Sequence, residues 1–392
     1  MRRAAAAGLF VAIVLGLLVG GHAYLIRRLV LDPGWPEPWR SLGVWLLAGL
    51  GALLVLAPIA ERTLPRTLAR GSTWPSALWM GAWFLLLMTL GASEGILAIS
   101  GAPALASEGG RGALESTAAI RAIAVVGVAF ALSAAGLRGA LRPPQVKRVE
   151  IALARWPRAL DGFRIVQITD LHIGPILDRR FASEVVRRVN ALHPDLIALT
   201  GDLVDGREPL LRDEVAPLAR LAAPRGVFLV PGNHDYYSGI DAWMGRARSL
   251  GLRVLRNARV TIGSPGARFD LVGVNDHRAS FTHPEQAEDL DAALEDRDPE
   301  RPWILLAHDP ESFHAAARAG VDLQISGHTH GGQVWPFRYL VRLATPFVAG
   351  RYRRGRSQLY VSCGTGFWGP PMRLGAPAEI TEIVLRASTD QV

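Results

Sequence analysis

The 392 residues predict two parts: an all-α membrane region of four transmembrane helices, then an α/β domain. Three observations carry that expectation. Up to about residue 140 the chain is dominated by Ala, Leu, Gly, Val and Trp, in four apolar stretches each long enough to cross a bilayer core, for which about 20 residues suffice. Most of the Asp, Glu and His lie after residue 150. In that second part short apolar runs alternate with helical patterns, and each run closes on a polar cluster, the layout of strands alternating with helices.

The four spans are expected at about 4–26, 42–60, 78–99 and 118–137. The first follows Met1-Arg2-Arg3 and, with a weak small-residue site near Gly21-His22-Ala23, would alone read as a signal peptide. Three further segments make a retained multi-span anchor the better reading. Arg2, Arg3, Arg62, Arg66, Arg70, Arg138, Arg142, Lys147 and Arg148 would then lie on one side, and Arg27, Arg28, Arg40 and Arg111 on the other. The positive-inside bias puts the first set, and with it the C-terminal domain, on the cytoplasmic side of a bacterial inner membrane. Glu94, near the end of the third span, is expected to sit at the interface rather than on an ion pathway.

The formal charge of +8 does not by itself mean nucleic acid, because much of the basic excess lies beside the spans. There it serves topology and attracts anionic lipid headgroups. Membrane lipids are therefore an expected partner, and Arg351-Tyr352-Arg353-Arg354 is the one compact basic run on the second part. The single Cys363 excludes an intrachain disulfide and falls in the strand-like run Leu359–Cys363, where a small buried residue is expected.

Residues 141–148, with Pro143-Pro144, read as a linker, and 149–392 as the second domain. Phe163–Thr169 leads into Asp170-Leu171-His172. Asp195–Thr200 leads into Gly201-Asp202-Leu203-Val204-Asp205, and Gly226–Val230 into Pro231-Gly232-Asn233-His234-Asp235. Trp303–Ala307 leads into His308-Asp309, and Val321–Ser326 into Gly327-His328-Thr329-His330-Gly331. Phe181, Val185, Val186, Val189 and Leu192 recur at helical spacing, as do the apolar residues from Leu210 to Leu221. Open α/β sheets place ligands beyond the carboxyl ends of their strands, and all five polar clusters fall there.

Asp170, His172, Asp202, Asn233, His308, His328 and His330 form an oxygen/nitrogen donor set without a thiolate. By ligand softness this suits Mn, Fe, Zn or Co. Seven donors exceed the need of one tetrahedral site and fit two metals sharing a carboxylate, the arrangement that clamps attacking and leaving oxygens in phosphoryl transfer. The competing reading makes Asp202, Asp205 and Asn233 ordinary turn formers.

Asp-x-His, Gly-Asp-x-x-Asp, Gly-Asn-His-Asp, a lone His and Gly-His-x-His, in this order, resemble the calcineurin-like metallophosphoesterases. Ile168–His172, Gly327–Gln333 and Tyr360–Gly364 look most like the YkuE/YaeI-type bacterial branch. The resemblance implies a four-layer αββα sandwich with a dinuclear centre, manganese favoured. It implies that Asp170, His172 and His330 hold one metal and Asn233, His308 and His328 the other, with Asp202 bridging. It further implies that His234 contacts the scissile phosphate and protonates the leaving oxygen, its ring oriented by Asp205. Asn275, in Gly273-Val274-Asn275-Asp276, stands where relatives of this branch often carry Asp. His193, His277, His283 and His314 read as surface or packing residues.

Fold and motif set the reaction class better than the substrate. Trp335-Pro336-Phe337-Arg338 follows the double-His loop and Phe367-Trp368 lies further on, and aromatics beside a metal centre on a tethered domain favour an amphiphilic substrate. Some relatives of the YaeI branch resemble UDP-diacylglucosamine pyrophosphatases, so a lipid- or nucleotide-linked phosphoester such as UDP-2,3-diacylglucosamine leads. The alternatives are a nuclease and a catalytically inactive membrane scaffold.

Overall fold

A computed structural model describes residues 2–63, 66–100 and 110–388. The last four residues of the expected second domain lie outside the described residues. The chain forms two units. One holds residues 1–137 with Gly369–Met372, and the other the remainder.

The first unit is built on helices α1 (Arg2–Leu25), α2 (Trp39–Thr63), α3 (Arg66–Ser100) and α4 (Gly110–Leu141). Four segments are long and apolar enough to cross a membrane: Val11–Leu31, which runs from α1 through a π-helical turn at Ile26–Leu31, and Trp39–Ala60, Gly71–Ser100 and Glu115–Leu141 within α2, α3 and α4. The helices outrun the expected spans because flanking polar residues continue the hydrogen-bonded ladder that an apolar window does not count. Glu94 is ion-paired with Arg28 Nε at 2.7 Å and Arg121 at 3.8 Å, where the sequence suggested only an interfacial position. His22 is buried; its Nδ1 donates to Leu18 O at 2.7 Å and its Nε2 accepts from Trp79 Nε1 at 3.0 Å.

Among the described residues of the second unit, twelve strands form two six-stranded sheets. The strands are β1 (Gln145–Leu153), β2 (Phe163–Ile168), β3 (Leu196–Thr200), β4 (Val227–Val230), β5 (Arg253–Val254) and β6 (Ala258–Ser264). The others are β7 (Ala267–Gly273), β8 (Trp303–Leu306), β9 (Leu323–Ser326), β10 (Gly350–Arg354), β11 (Ser357–Val361) and β12 (Glu379–Ala387). The sheet orders are β1-β12-β2-β3-β4-β5 and β10-β11-β9-β8-β7-β6. The runs from β2 to β5 and from β7 to β9 are parallel, as alternating strand and helix patterns require.

Successive side chains on a strand face opposite ways. On β2, Ile165 enters the core between the sheets and Val166 the outer core; on β8, Ile304 and Leu306 point inward and Leu305 outward. Both faces are buried, so these strands read as continuous apolar runs. Helices α5 (Arg179–Asn190) and α7 (Ile240–Ser249) cover the first sheet through Val185, Val189 and Trp243. Helices α8 (Leu290–Leu294) and α9 (Phe313–Arg318) cover the second through Ala293 and Phe313. The result is the four-layer αββα sandwich.

Helix α5 shows how locally such an element is specified. Asp178 caps it, its Oδ1 accepting from Arg180 N at 2.9 Å, a contact worth about 1 kcal/mol. Ala182, Val185, Val186 and Val189 form its buried stripe. The expected helix over Leu210–Leu221 is split into Glu208–Leu211 and a tight 3-10 turn, Ala216–Arg220. Pro217 has no N–H to give and crowds the preceding turn, which disfavours a helix continuing into it, and it stands instead in the first turn of the 3-10 piece. Strand β1 opens at Gln145, inside the stretch read as linker, because β12 supplies a parallel partner from the far end of the chain.

Candidate metal centre

The carboxyl ends of β2, β3 and β4 in one sheet and of β8 and β9 in the other converge at one end of the sandwich. Asp170 and His172 leave β2, Asp202 and Asp205 leave β3, and Asn233 and His234 open α6 (Asn233–Tyr237) after β4. His308 leaves β8, and His328 and His330 leave β9.

Three three-residue groups fall within ligand reach of a common point: Asp170 with His172 and His330, Asp202 with His308 and His328, and His172 with Asp205 and His234. His172 Nε2 lies 3.1 Å from His330 Nε2, which is 3.4 Å from Asp170 Oδ1. His308 Nε2 lies 3.1 Å from Asp202 Oδ2 and 3.2 Å from His328 Nδ1. The first two groups meet at Asp202, whose Oδ2 is also 3.6 Å from His172 Nε2. Asn233 Oδ1 is buried without a hydrogen-bond partner among the described residues. A buried acceptor left unpaired is costly, and a cation beside it removes that cost. The donor chemistry and the orphaned oxygen fit a divalent metal pair.

Neighbouring groups set the tautomers. Thr200 O can only accept, so His308 Nδ1, 2.8 Å away, carries the hydrogen and leaves Nε2 free to ligate. Asp205 accepts from two imidazoles, His172 Nδ1 at 3.0 Å and His234 Nδ1 at 2.7 Å. Burial would raise the Asp205 pKa, but these two rings hold it well below the usual carboxylate range. Burial pushes His328 down to about 4, aided by His308 and Arg278 against Asp309. Burial, with His172 and Arg373, likewise holds His330 well below its ordinary value. Both imidazoles of the double-His loop are therefore neutral at pH 7, the form that binds metal.

Five of the seven expected ligands sit in the left-handed backbone region: Asp170 (φ 54°), His172 (φ 46°), Asp202 (φ 51°), His328 (φ 71°) and His330 (φ 51°). Such strain collects at functional sites, where the surrounding fold enforces it. Residue type alone does not reveal it.

Several residues support the site in ways the motifs do not state. Gly232 is required for close approach, since a Cβ there would fall on the Asp202 carboxylate and amide. Asp235 is buried and accepts from Leu203 N and Gly232 N, both at 2.9 Å, tying the β3 and β4 loops together. Burial and then Asp202 push its carboxyl up to about 7. Buried Arg373 donates to the carbonyls of Cys363, Gly366 and Ala376 at 2.8–2.9 Å, bracing the loop behind His330. Tyr237 and Trp368 flank the His234 ring, each at 5.5 Å between centroids. Gln333 holds Trp368 by both its backbone N and O.

Other expectations resolve simply. Asn275 Oδ1 accepts from Arg256 Nε at 3.0 Å, away from the ligand set. His277 pairs with Glu288 at 2.6 Å. In the basic run, Arg351 donates to Glu150 O, Arg353 to Gly355 O, and Arg354 lies 3.2 Å from His314 Nδ1. These arginines are engaged within their own domain rather than arrayed as a free groove. Cys363 is half-buried, and burial pushes its thiol up to about 11.

Fold and donor set together define a metallophosphoesterase-type centre, and the chain belongs to the calcineurin-like phosphoesterase family, whose pattern matches residues 163–332. It is 32% identical to the uncharacterized metallophosphoesterase YkuE of Bacillus subtilis, over 66% of this chain and 93% of that one. It is 40% identical to the bovine "transmembrane protein with metallophosphoesterase domain", over 71% of this chain and 65% of that protein. The zebrafish protein of the same name is 37% identical over 65% of this chain and 60% of its own length. The chain thus spans about two thirds or less of those two relatives.

Proposed function

We propose that this chain is a membrane-anchored, dinuclear-metal phosphoesterase that hydrolyses a phosphoester or pyrophosphate bond. The observation that carries it is the meeting of two three-ligand groups at Asp202, beside a third cluster in which Asp205 joins His172 to His234. Asp170, His172 and His330 would hold one ion and Asn233, His308 and His328 the second, with Asp202 shared between them. A pair of divalent ions there, manganese favoured for an oxygen/nitrogen set, lowers the pKa of water and offsets charge on phosphoryl oxygens.

The remaining residues do the proton work. Asp205 fixes the His234 ring by accepting from Nδ1, so Nε2 is the atom that faces substrate and gives its proton to the leaving oxygen. Trp368 and Tyr237 pack edge-on against that ring. The catalytic unit is placed on the cytoplasmic face of a bacterial inner membrane, which the Lys/Arg bias of the loops supports. Among substrates, a nucleotide-linked glycolipid such as UDP-2,3-diacylglucosamine suits a tethered enzyme with aromatic walls.

The test is hydrolysis by detergent-solubilised full-length protein with Mn²⁺, using UDP-2,3-diacylglucosamine and a chromogenic phosphodiester in parallel. UMP release from the first supports the glycolipid reading. Cleavage of the diester alone keeps the enzyme and discards that substrate, and cleavage of neither with any divalent metal moves the chain to an inactive scaffold.

Gly232→Ala is expected to leave the far-UV circular dichroism unchanged. It should reduce both bound metal and turnover at least tenfold, because the added methyl displaces the Asp202 carboxylate. Metal content by mass spectrometry checks this; full occupancy would mean the loop simply yields.

A further inference from the structure

Helix α10 (Arg338–Ala344), Arg-Tyr-Leu-Val-Arg-Leu-Ala, follows the double-His loop and has no buried residue. Five of its seven residues are apolar or aromatic, yet Leu343 is 85% exposed, Tyr339 54% and Leu340 51%. Residues three and four apart share a helix face. Tyr339, Leu340 and Leu343 therefore make one apolar strip, and Arg338 and Arg342 an adjoining basic one. Exposed Trp335 and Phe337 lead into the helix, and Trp368, also exposed, joins them through the Gln333 clamp.

Three features say what covers this face. The same chain carries four helices fit to cross a membrane, so a bilayer is held near this domain at all times. From Leu323 to Ala378 there is no Asp or Glu, and Arg338 and Arg342 stand on the helix itself, a bias that attracts anionic headgroups and deters acidic protein surfaces. Aromatic rings and arginine beside exposed leucine are the composition of an interfacial segment, with rings at headgroup depth and guanidinium groups among phosphates.

We propose that α10, with Trp335, Phe337 and Trp368, is a membrane-docking surface that beds into the headgroup region of an anionic bilayer. It lies at the mouth of the metal centre. Gly332, two residues after His330, has φ +81°, and a Cβ there would run into the Arg338 backbone, so the helix starts directly against the ligand loop. Trp368 reaches from the exposed face to the His234 ring. A docked α10 opens the centre toward phosphate groups at the bilayer surface rather than toward bulk solvent. The docking stands whether or not the hydrolytic reading holds.

The test uses full-length protein carrying Leu343→Cys and a nitroxide label. The half-buried Cys363, with its raised thiol pKa, competes poorly for the reagent. In nanodiscs containing phosphatidylglycerol, the label is expected to be accessible to oxygen and shielded from a water-soluble nickel chelate. A label at Arg248→Cys, an exposed position on α7, is expected to show the reverse. Adding Leu340→Glu should return the Leu343 label to nickel access by at least threefold. Replacing phosphatidylglycerol with phosphatidylcholine should do so in part. Equal nickel access at both label positions would overturn the proposal. So would shielding from both reagents, in nanodisc and detergent alike, which would mean that protein, a second copy included, covers the helix.

Discussion

Asp202→Asn is expected to lower kcat by at least about three orders of magnitude, because several kcal/mol of charge stabilisation are removed and each 1.36 kcal/mol is tenfold. Asp202 is buried between the two ligand groups, within 3.1 Å of His308 Nε2 and 3.6 Å of His172 Nε2. Burial alone would raise its pKa, but His308, His234 and His172 hold it well below the ordinary value, so it stands as an anion there. Asparagine keeps the shape. Its Oδ1 can still accept from His234 N, which donates to Asp202 Oδ1 at 2.8 Å, so the β4 loop is expected to hold its place. What is lost is the charge that one side chain would need to serve two cations. Metal analysis of purified protein should fall from two ions per chain to one or fewer, with melting temperature reported alongside. Retention of more than a tenth of wild-type turnover with two ions bound would remove Asp202 from the bridging role.

His234→Gln is expected to cost roughly 10²- to 10⁴-fold in kcat while leaving both metal ions in place, the range for loss of a positioned acid. The loss should shrink markedly on a substrate whose leaving group needs no proton, such as a nitrophenyl ester. A purely electrostatic contact would cost both substrates alike. Burial tends to lower the His234 pKa, but Asp202 and then Asp205 override it and push it up to about 9. An acid works while protonated, so activity is present below this pKa and is lost as pH rises through it. Cations bound there would share the Asp202 charge and draw the value down, so the alkaline limb of kcat is expected at or below about pH 9. Asp205→Asn removes the partner that accepts from Nδ1 at 2.7 Å and should move that limb to lower pH. A limb that stays in place in both variants would assign it to another group.

Much of this was legible in residue order. A span needs only about 20 apolar residues, so the four membrane helices are a local property, though their full lengths are not. Strands β2, β3, β4, β8 and β9 announce themselves as apolar runs buried on both faces, and each closes on a polar cluster. The seven expected ligands are legible because metal chemistry demands particular atoms. Less local features were hidden. Nothing before residue 150 shows that β1 will pair with β12, more than two hundred residues away, or that residues 145–148 are strand rather than linker. The break in the helix expected over Leu210–Leu221 was available in Pro217 and was outweighed by the apolar spacing around it.

The sequence by itself determined the two-part organisation, the alternation of strand and helix, and the donor atoms at each strand end, since these depend on residue type and near neighbours. Only the tertiary structure decided which donors share a point in space, that Asp205 serves two imidazoles, and that five ligands hold left-handed backbone. It also decided that Arg373 and Gln333 brace the site and that α10 is left uncovered. Distances between strand ends follow from how two sheets twist and pack against one core, and that packing is a sum over residues far apart in the chain.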